Sequence, residues 1–158
     1  MQIKLAVAAG FLLVFLGACT HLDSDTQTSA ADNNALELLT HVDHWRLVEL
    51  HGRPVASGQR SPTLKFDNDG TRMSGFSGCN RYAGQFELGA KQRLRFSRTV
   101  STKMACMEPT VEDEFLQILE TVDSYHTDGI SLSLHRARMR TLAIFEAVRP
   151  VAEMKQGE

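Results

Sequence analysis

The stretch GFSGCNRYAGQF, Gly75–Phe86, places three glycines, one cysteine and three aromatic residues in twelve positions. Glycine at this density beside a Cys-Asn pair suits a catalytic loop, a redox site or a metal knuckle. It equally suits a sharply bent piece of β-sheet whose cysteine is stapled elsewhere. The flanking residues favour the second reading. TRMSGFSG leads into the stretch and YAGQFEL leads out of it, both with the alternation of a strand. Between two strands, Gly75, Gly78 and Gly84 read as bend and close-packing positions. Asn80 is expected to bond local backbone in the turn.

The same period-2 pattern continues outward in both directions. HWRLVELHG (residues 44–52) sets Trp45 and Leu47 on one face against Arg46, Val48 and Leu50 on the other. TLKF, ending in the Asn68-Asp69-Gly70 turn, puts Leu64 and Phe66 together. RLRFSRTV turns Leu94 and Phe96 inward and Arg93 and Arg95 outward. GISLSLHR alternates Ile130, Leu132 and Leu134 with Ser131, Ser133 and His135. RTLAIFEAV supplies Leu142 and Ile144, with Phe145 or Val148. One segment breaks the rhythm. From Pro109 to Tyr125, Val111, Phe115, Ile118, Leu119 and Val122 share one face of a helix. Pro109 suits its first turn, and Glu112, Asp113 and Glu114 complement the helix dipole there. The sum is a mostly β (α+β) fold: a small antiparallel β-barrel or strongly curved sheet of about seven or eight strands with one packed α-helix over about 109–124.

The N-terminus reads as a processing signal. One cation, Lys4, precedes an apolar run from Leu5 to Leu16, shorter than the roughly 20 residues a spanning helix needs. Leu16-Gly17-Ala18-Cys19 resembles a bacterial lipobox, which implies a signal peptide over 1–18 and acylation of Cys19. Thr20 lacks the aspartate that retains lipoproteins at the inner membrane, so the resemblance points to the outer membrane, periplasmic side. Residues 19–41 are rich in Ser, Thr, Asp and Asn and read as a flexible tether, with a nascent helical turn at Ala35–Leu39. The domain proper is placed at 42–148 and a solvated tail at 149–158. Lys and Arg number 17 against 19 Asp and Glu, a balance that gives no reason to expect nucleic acid.

With Cys19 assigned to the anchor, Cys79 and Cys106 remain as a pair in an oxidising compartment, which favours a disulfide. Two unpaired cysteines acting as small apolar residues are the other reading. A thiol nucleophile would need a base and an orienting group, and nothing in the spacing sets His126 or His135 beside either cysteine. His41, His44 and His51 lack the spacing of a metal motif and read as solvated surface residues, so neither metal nor cofactor is expected. Arg93, Arg95 and Arg98, and Arg136, Arg138 and Arg140, alternate along strand-like segments. They read as a solvated face that blunts sheet edges, or else as a weak patch for lipid head groups, lipopolysaccharide or an acidic partner.

Several of these pieces resemble the META domain of HslJ-like bacterial lipoproteins. The sharpest are Gly78-Cys79-Asn80 with Tyr82 and Gly84, and Thr102-x-Met104-Ala105-Cys106 running into Glu114 and Phe115. Trp45-x-Leu47 and the closing Leu142–Phe145 agree with it, although the LHRARMRTLAIF hairpin lacks a glycine at its turn. The resemblance implies a compact barrel with one helix, similar to secretion-system pilotins such as MxiM. It implies no enzymatic activity and an association with heat shock and drug tolerance. The expectation is therefore a lipid-anchored, non-enzymatic periplasmic binding factor, its protein or lipid partner unidentified. A pilotin-like carrier of an acyl chain or hydrophobic peptide, and a thiol protein using Cys79 and Cys106, are the alternatives.

Overall fold

The computed structural model describes residues 25–58, 60–106 and 111–149, with side chains from residue 33 onward. After helix α1 (Asp25–Thr40) come β1 (His44–Leu50), β2 (Arg53–Pro54), β3 (Thr63–Phe66), β4 (Arg72–Phe76), β5 (Arg81–Gly89) and β6 (Arg93–Ser101). Helix α2 (Glu112–Thr121) then precedes β7 (Ser124–Thr127), β8 (Ser131–Arg136) and β9 (Arg140–Val148). The nine strands form one antiparallel sheet in the order β2-β1-β3-β4-β5-β6-β7-β8-β9. β9 pairs back onto β1, from His44↔Val148 to Leu50↔Ala143, and closes the sheet into a ring. The expected curved antiparallel sheet with a packed helix is what forms.

The alternation of apolar residues accounts for most of the inner wall. Leu64, Phe66, Leu94, Leu132 and Leu134 are all buried where period 2 puts them. Three bulges change the rest. A register shift between Leu47 and Glu49 returns Leu50 to the inside with Trp45 and Leu47, all at most 1% exposed, so Leu50 does not share the outer face with Arg46. A second shift, at Leu134/His135, accompanies a run in which neighbouring Leu142 and Ala143 are both buried. Phe145 joins them inside, whereas Ile144 is only partly covered. The third lies between Ala83 and Gln85. Ile130 does not continue the β8 pattern, being 64% exposed in the turn before the strand.

Two strands lie beyond the expected set. β2 is a two-residue extension paired to β1. β7 occupies residues that the helical period read through Tyr125 absorbs. α2 stops earlier because Val122 turns to an extended conformation (φ −60°, ψ 137°), and the next carbonyl, Asp123, accepts the Leu94 N–H. β6 and β7 share a single register pair, Arg93↔Ser124, which makes this the weakest seam of the ring. The segment that connects them contains α2, which packs on β6 and sends Phe115 into the ring between Tyr82 and Phe145, with ring centroids at 5.6 and 6.2 Å. Phe66, Phe86 and Phe96 fill another part of the interior as an edge-to-face and stacked cluster. The interior is thus solid, with Trp45, Phe86, Phe115 and Phe145 all at most 2% exposed.

Over much of the expected tether, the backbone from Asp25 to Thr40 is helical. Leu39 is 1% exposed, and Ala35 and Leu36 pack against the core. The indole Nε1 of Trp45 donates to the Leu39 carbonyl at 2.9 Å. His41 closes the helix end, its Nδ1 at 2.8 Å from the Leu38 carbonyl and its Nε2 at 2.8 Å from the Gly129 carbonyl in the β7–β8 turn. Composition alone hides this helix because its stability comes from docking rather than from propensity. Cys19 and the rest of the expected signal and anchor lie outside the described residues, as does most of the expected tail at 149–158.

Candidate functional site

The β4–β5 connection, Ser77–Asn80, begins the site. Gly78 has φ +108°, a conformation that side chains resist, so the turn requires glycine there. The Ser77 N–H and hydroxyl both donate to the Asn80 carbonyl at 2.8 Å. Beside the turn, the Tyr82 hydroxyl donates to the Thr63 carbonyl at 2.7 Å, crossing over Gly75. A Cβ on Gly75 would stand 2.0 Å from that carbonyl oxygen and 2.8 Å from the Tyr82 hydroxyl. Burial pushes the Tyr82 phenol well above its ordinary pKa, so it is a neutral donor. Gly84 lies under the Met73 side chain at the β5 bulge.

Asn80 acts across the fold, which differs from the local turn role its sequence position suggests. Its Oδ1 accepts the Thr102 hydroxyl and the Met104 N–H, each at 2.8 Å. Its Nδ2 donates to Glu112 Oε2 at 3.1 Å. One buried amide thus ties the β4–β5 turn to the 102–104 segment and to the first residue of α2. The Thr102 hydroxyl in turn accepts the Arg81 N–H at 3.2 Å, and the Thr102 N–H reaches the Arg81 carbonyl at 3.0 Å. The Cys79–Cys106 disulfide, with Cα atoms 6.0 Å apart, lies alongside as a covalent version of the same link. Cys79, Asn80, Thr102, Met104 and Cys106 therefore meet at one place, with Gly75, Gly78 and Tyr82 shaping the turn beneath them. Glu112 is the member that reading the sequence misses. Its position in the first helical turn signals a dipole contact, but it is 8% exposed and bonded to Asn80.

A groove of about 710 Å³ opens beside this clasp, lined by Asn80, Lys103, Met104, Cys106, Asp113 and Leu116 among others. Met104 is 62% exposed along it. Cys79, Cys106 and Glu112 are the one group of three potential metal-ligating side chains among the described residues. The two sulfurs are bonded to each other, so neither offers a thiolate. The clasp contains hydrogen-bond donors and acceptors already used on one another, which is the chemistry of a structural lock.

The histidines are dispersed. His44 pairs with Asp43 at 2.8 Å, and His51 stands 3.8 Å from Glu114 Oε1, a carboxylate also held by Arg53 of β2. The arginines read as strand faces divide. Arg95 faces outward opposite Glu87, and Arg98 takes a left-handed conformation (φ 51°) within β6. Arg136, Arg138 and Arg140 sit at the β8–β9 tip, beside the start of β6.

The description of the META domain matches residues 36–149 of the chain, a span that takes in the last turn of α1 as well as the ring. A protein from Burkholderia xenovorans, solved by NMR, is similar in fold with a TM-score of 0.58 and 28% identity, covering 74% of this chain and 89% of that one. A second NMR structure has a TM-score of 0.55 at 25% identity, over 70% of this chain and 93% of that one. The crystal structure of a DUF4847 family protein from Bacteroides vulgatus has a TM-score of 0.53 over 73% of this chain and 99% of its own. Its identity of 16% makes it a likeness of fold alone. No curated protein matches the sequence.

Proposed function

The chain belongs to the META domain family, and on that premise we propose that it is a non-enzymatic binding protein of the bacterial envelope. In this reading it is held at the outer membrane, periplasmic side, by a lipid on Cys19, and serves heat-shock or drug tolerance. The observation that carries the binding reading is the use made of the family motif. Asn80, Thr102, Met104 and Glu112 spend their polar groups on one another, and Cys79 and Cys106 are joined. Such a constellation favours a rigid scaffold that works through its outer surface. The lipobox-like Leu16–Cys19 supports the anchor.

The carrier alternative would need a hollow ring, and the space it requires is filled by Trp45, Phe86, Phe115 and Phe145. The thiol alternative has a specific observation in its favour, since Cys106 is exposed. Titration of the native oxidised protein should find no free thiol at Cys79 or Cys106. Fast-reacting thiols there would favour the redox reading instead.

The function itself is tested in a strain lacking the gene. Wild type should restore growth under heat or antibiotic stress, and Cys19→Ala should restore it poorly and fail to incorporate a palmitate analogue. Equal labelling of wild type and Cys19→Ala would refute the anchor. Full stress tolerance in the deletion strain would refute the role.

A further inference from the structure

The β8–β9 hairpin ends in a tip that breaks several local rules at once. Arg136 and Arg140 stand directly opposite each other, a like-charge pair that sheets ordinarily avoid. Ala137 and Arg138 both take left-handed conformations (φ 53° and 59°) without being glycine. Met139, between two arginines, is 93% exposed, well above the other large apolar side chains at the surface. Left-handed residues recur at Lys91 and Gln92 in the neighbouring β5–β6 turn, so what sets this tip apart is the opposed arginine pair beside a fully exposed methionine, with nothing packed over them.

The surroundings extend the charge. Arg93 pairs with Ser124, and Ser124 with His135, which puts the β5–β6 and β8–β9 tips at the same end of the ring, where Arg138 donates to the Lys91 carbonyl at 3.3 Å. Lys91, Arg93, Arg136, Arg138 and Arg140 are all exposed and, among the described residues, none is in an ion pair. The carboxylate at the junction, Asp123, accepts the Ala137 N–H at 2.8 Å and the Ser124 hydroxyl at 2.7 Å, and stands near enough to Arg93 and Arg136 for their charge to lower its pKa, so it offsets part of the positive charge of those two while Lys91, Arg138 and Arg140 keep theirs. This concentration stands out on a chain whose formal net charge is −2.

We propose that this tip is a membrane-surface contact, in which Lys91, Arg93, Arg136, Arg138 and Arg140 engage the phosphates of anionic phospholipids while Met139 enters the headgroup layer. Cations flanking an exposed apolar side chain fit an anionic lipid–water interface better than a soluble acidic protein, which has no apolar layer to receive the methionine. The proposal deepens the envelope reading above and names a partner for it. It does not rest on the lipid anchor, and α1 ends at the opposite end of the β8–β9 hairpin, where His41 meets Gly129.

The test uses the full chain carrying Cys19→Ala, so that no acyl chain contributes. Vesicles of phosphatidylcholine alone are compared with vesicles containing phosphatidylglycerol, by co-sedimentation at low and high salt. Binding should require phosphatidylglycerol and fall as salt rises. Arg138→Gln with Arg140→Gln should weaken it about 30-fold, each lost cation near the surface counting for about fivefold. Met139→Ser should weaken it several-fold, with far-UV circular dichroism unchanged in both variants. Equal binding to the two vesicle types, or phosphatidylglycerol binding that survives the double substitution, would overturn the proposal. So would free glycerol phosphate competing as well as vesicles do, because that would indicate a phosphate site with no lipid surface. Failure here leaves palmitate labelling of Cys19 untouched, and the two readings are thereby judged separately.

Discussion

A single amide, Asn80, holds three segments that are distant in sequence. Replacing it with alanine removes the acceptor of the Met104 N–H and one of the partners of the buried Glu112 carboxylate. Asn80→Ala should therefore cost about 2–3 kcal/mol in urea unfolding. Thr102→Val removes only one hydroxyl from the same network and should cost about 1 kcal/mol. Equal small losses for the two would mean that water replaces the bridge. Gly75 is limited by space rather than by backbone angle. Its neighbour at 2.0 Å is a backbone oxygen that cannot swing away. Gly75→Ala should lower stability by about 3 kcal/mol and disturb the Tyr82–Thr63 hydrogen bond. These roles are only partly legible in the sequence. Dense glycine beside cysteine announces a tight bend, but a hydrogen bond reaching from residue 80 to 104 and 112 leaves no local pattern.

Among the elements, those with clean periodicity could be read directly. Leu94 and Phe96 in β6, and Phe115, Ile118 and Leu119 in α2, lie where alternation and helical spacing put them. The elements that escape such reading share a physical cause. A bulge, as at Leu47/Glu49, reverses the inward face without any change in composition. β7 continues the helical spacing through Val122 and Tyr125 and is drawn into the sheet by pairing with β8. α1 is polar along much of its length and depends on Leu39 and the Trp45 indole for its place. The disulfide belongs to this scale as well, since it fastens the β4–β5 turn to the approach of α2 across a separation of 27 residues. Reduction should destabilise the chain by about 3–4 kcal/mol in the chain-entropy model. The comparison is thermal unfolding with and without reductant, with a Cys79→Ser/Cys106→Ser double variant as control. An unchanged midpoint in that variant would show that the Asn80 network suffices alone.

For the molecule as a whole, stability should decline as pH falls, in two stages. His135 is held below the ordinary histidine range, first by burial and then by His126, so its protonation favours the unfolded chain. That contribution is fully present above the unfolded value of 6.5 and is lost as pH falls from there through the lower folded value. Four aspartates follow. Asp69 is lowered to about 2, chiefly by the Thr71 N–H and also by Arg72. Asp43, Asp123 and Asp128 are lowered mainly by the His44 hydrogen bond, the Ala137 N–H and the Ser131 N–H respectively. Carboxylates with depressed pKa stabilise the fold above the unfolded value near 3.8, and that stability is lost as pH falls below it. A plot of urea midpoint against pH should step down near pH 6 and fall more steeply below pH 4, whereas a flat profile would contradict the assignment. Lastly, the chain contains one tryptophan, and it is Trp45, fully buried in the ring with its indole N–H on the last turn of α1. The protein therefore carries its own optical gauge. Red-shifted emission with loss of only the helical part of the far-UV signal would register release of α1 from a ring that remains closed, and loss of the strand signal as well would register global unfolding.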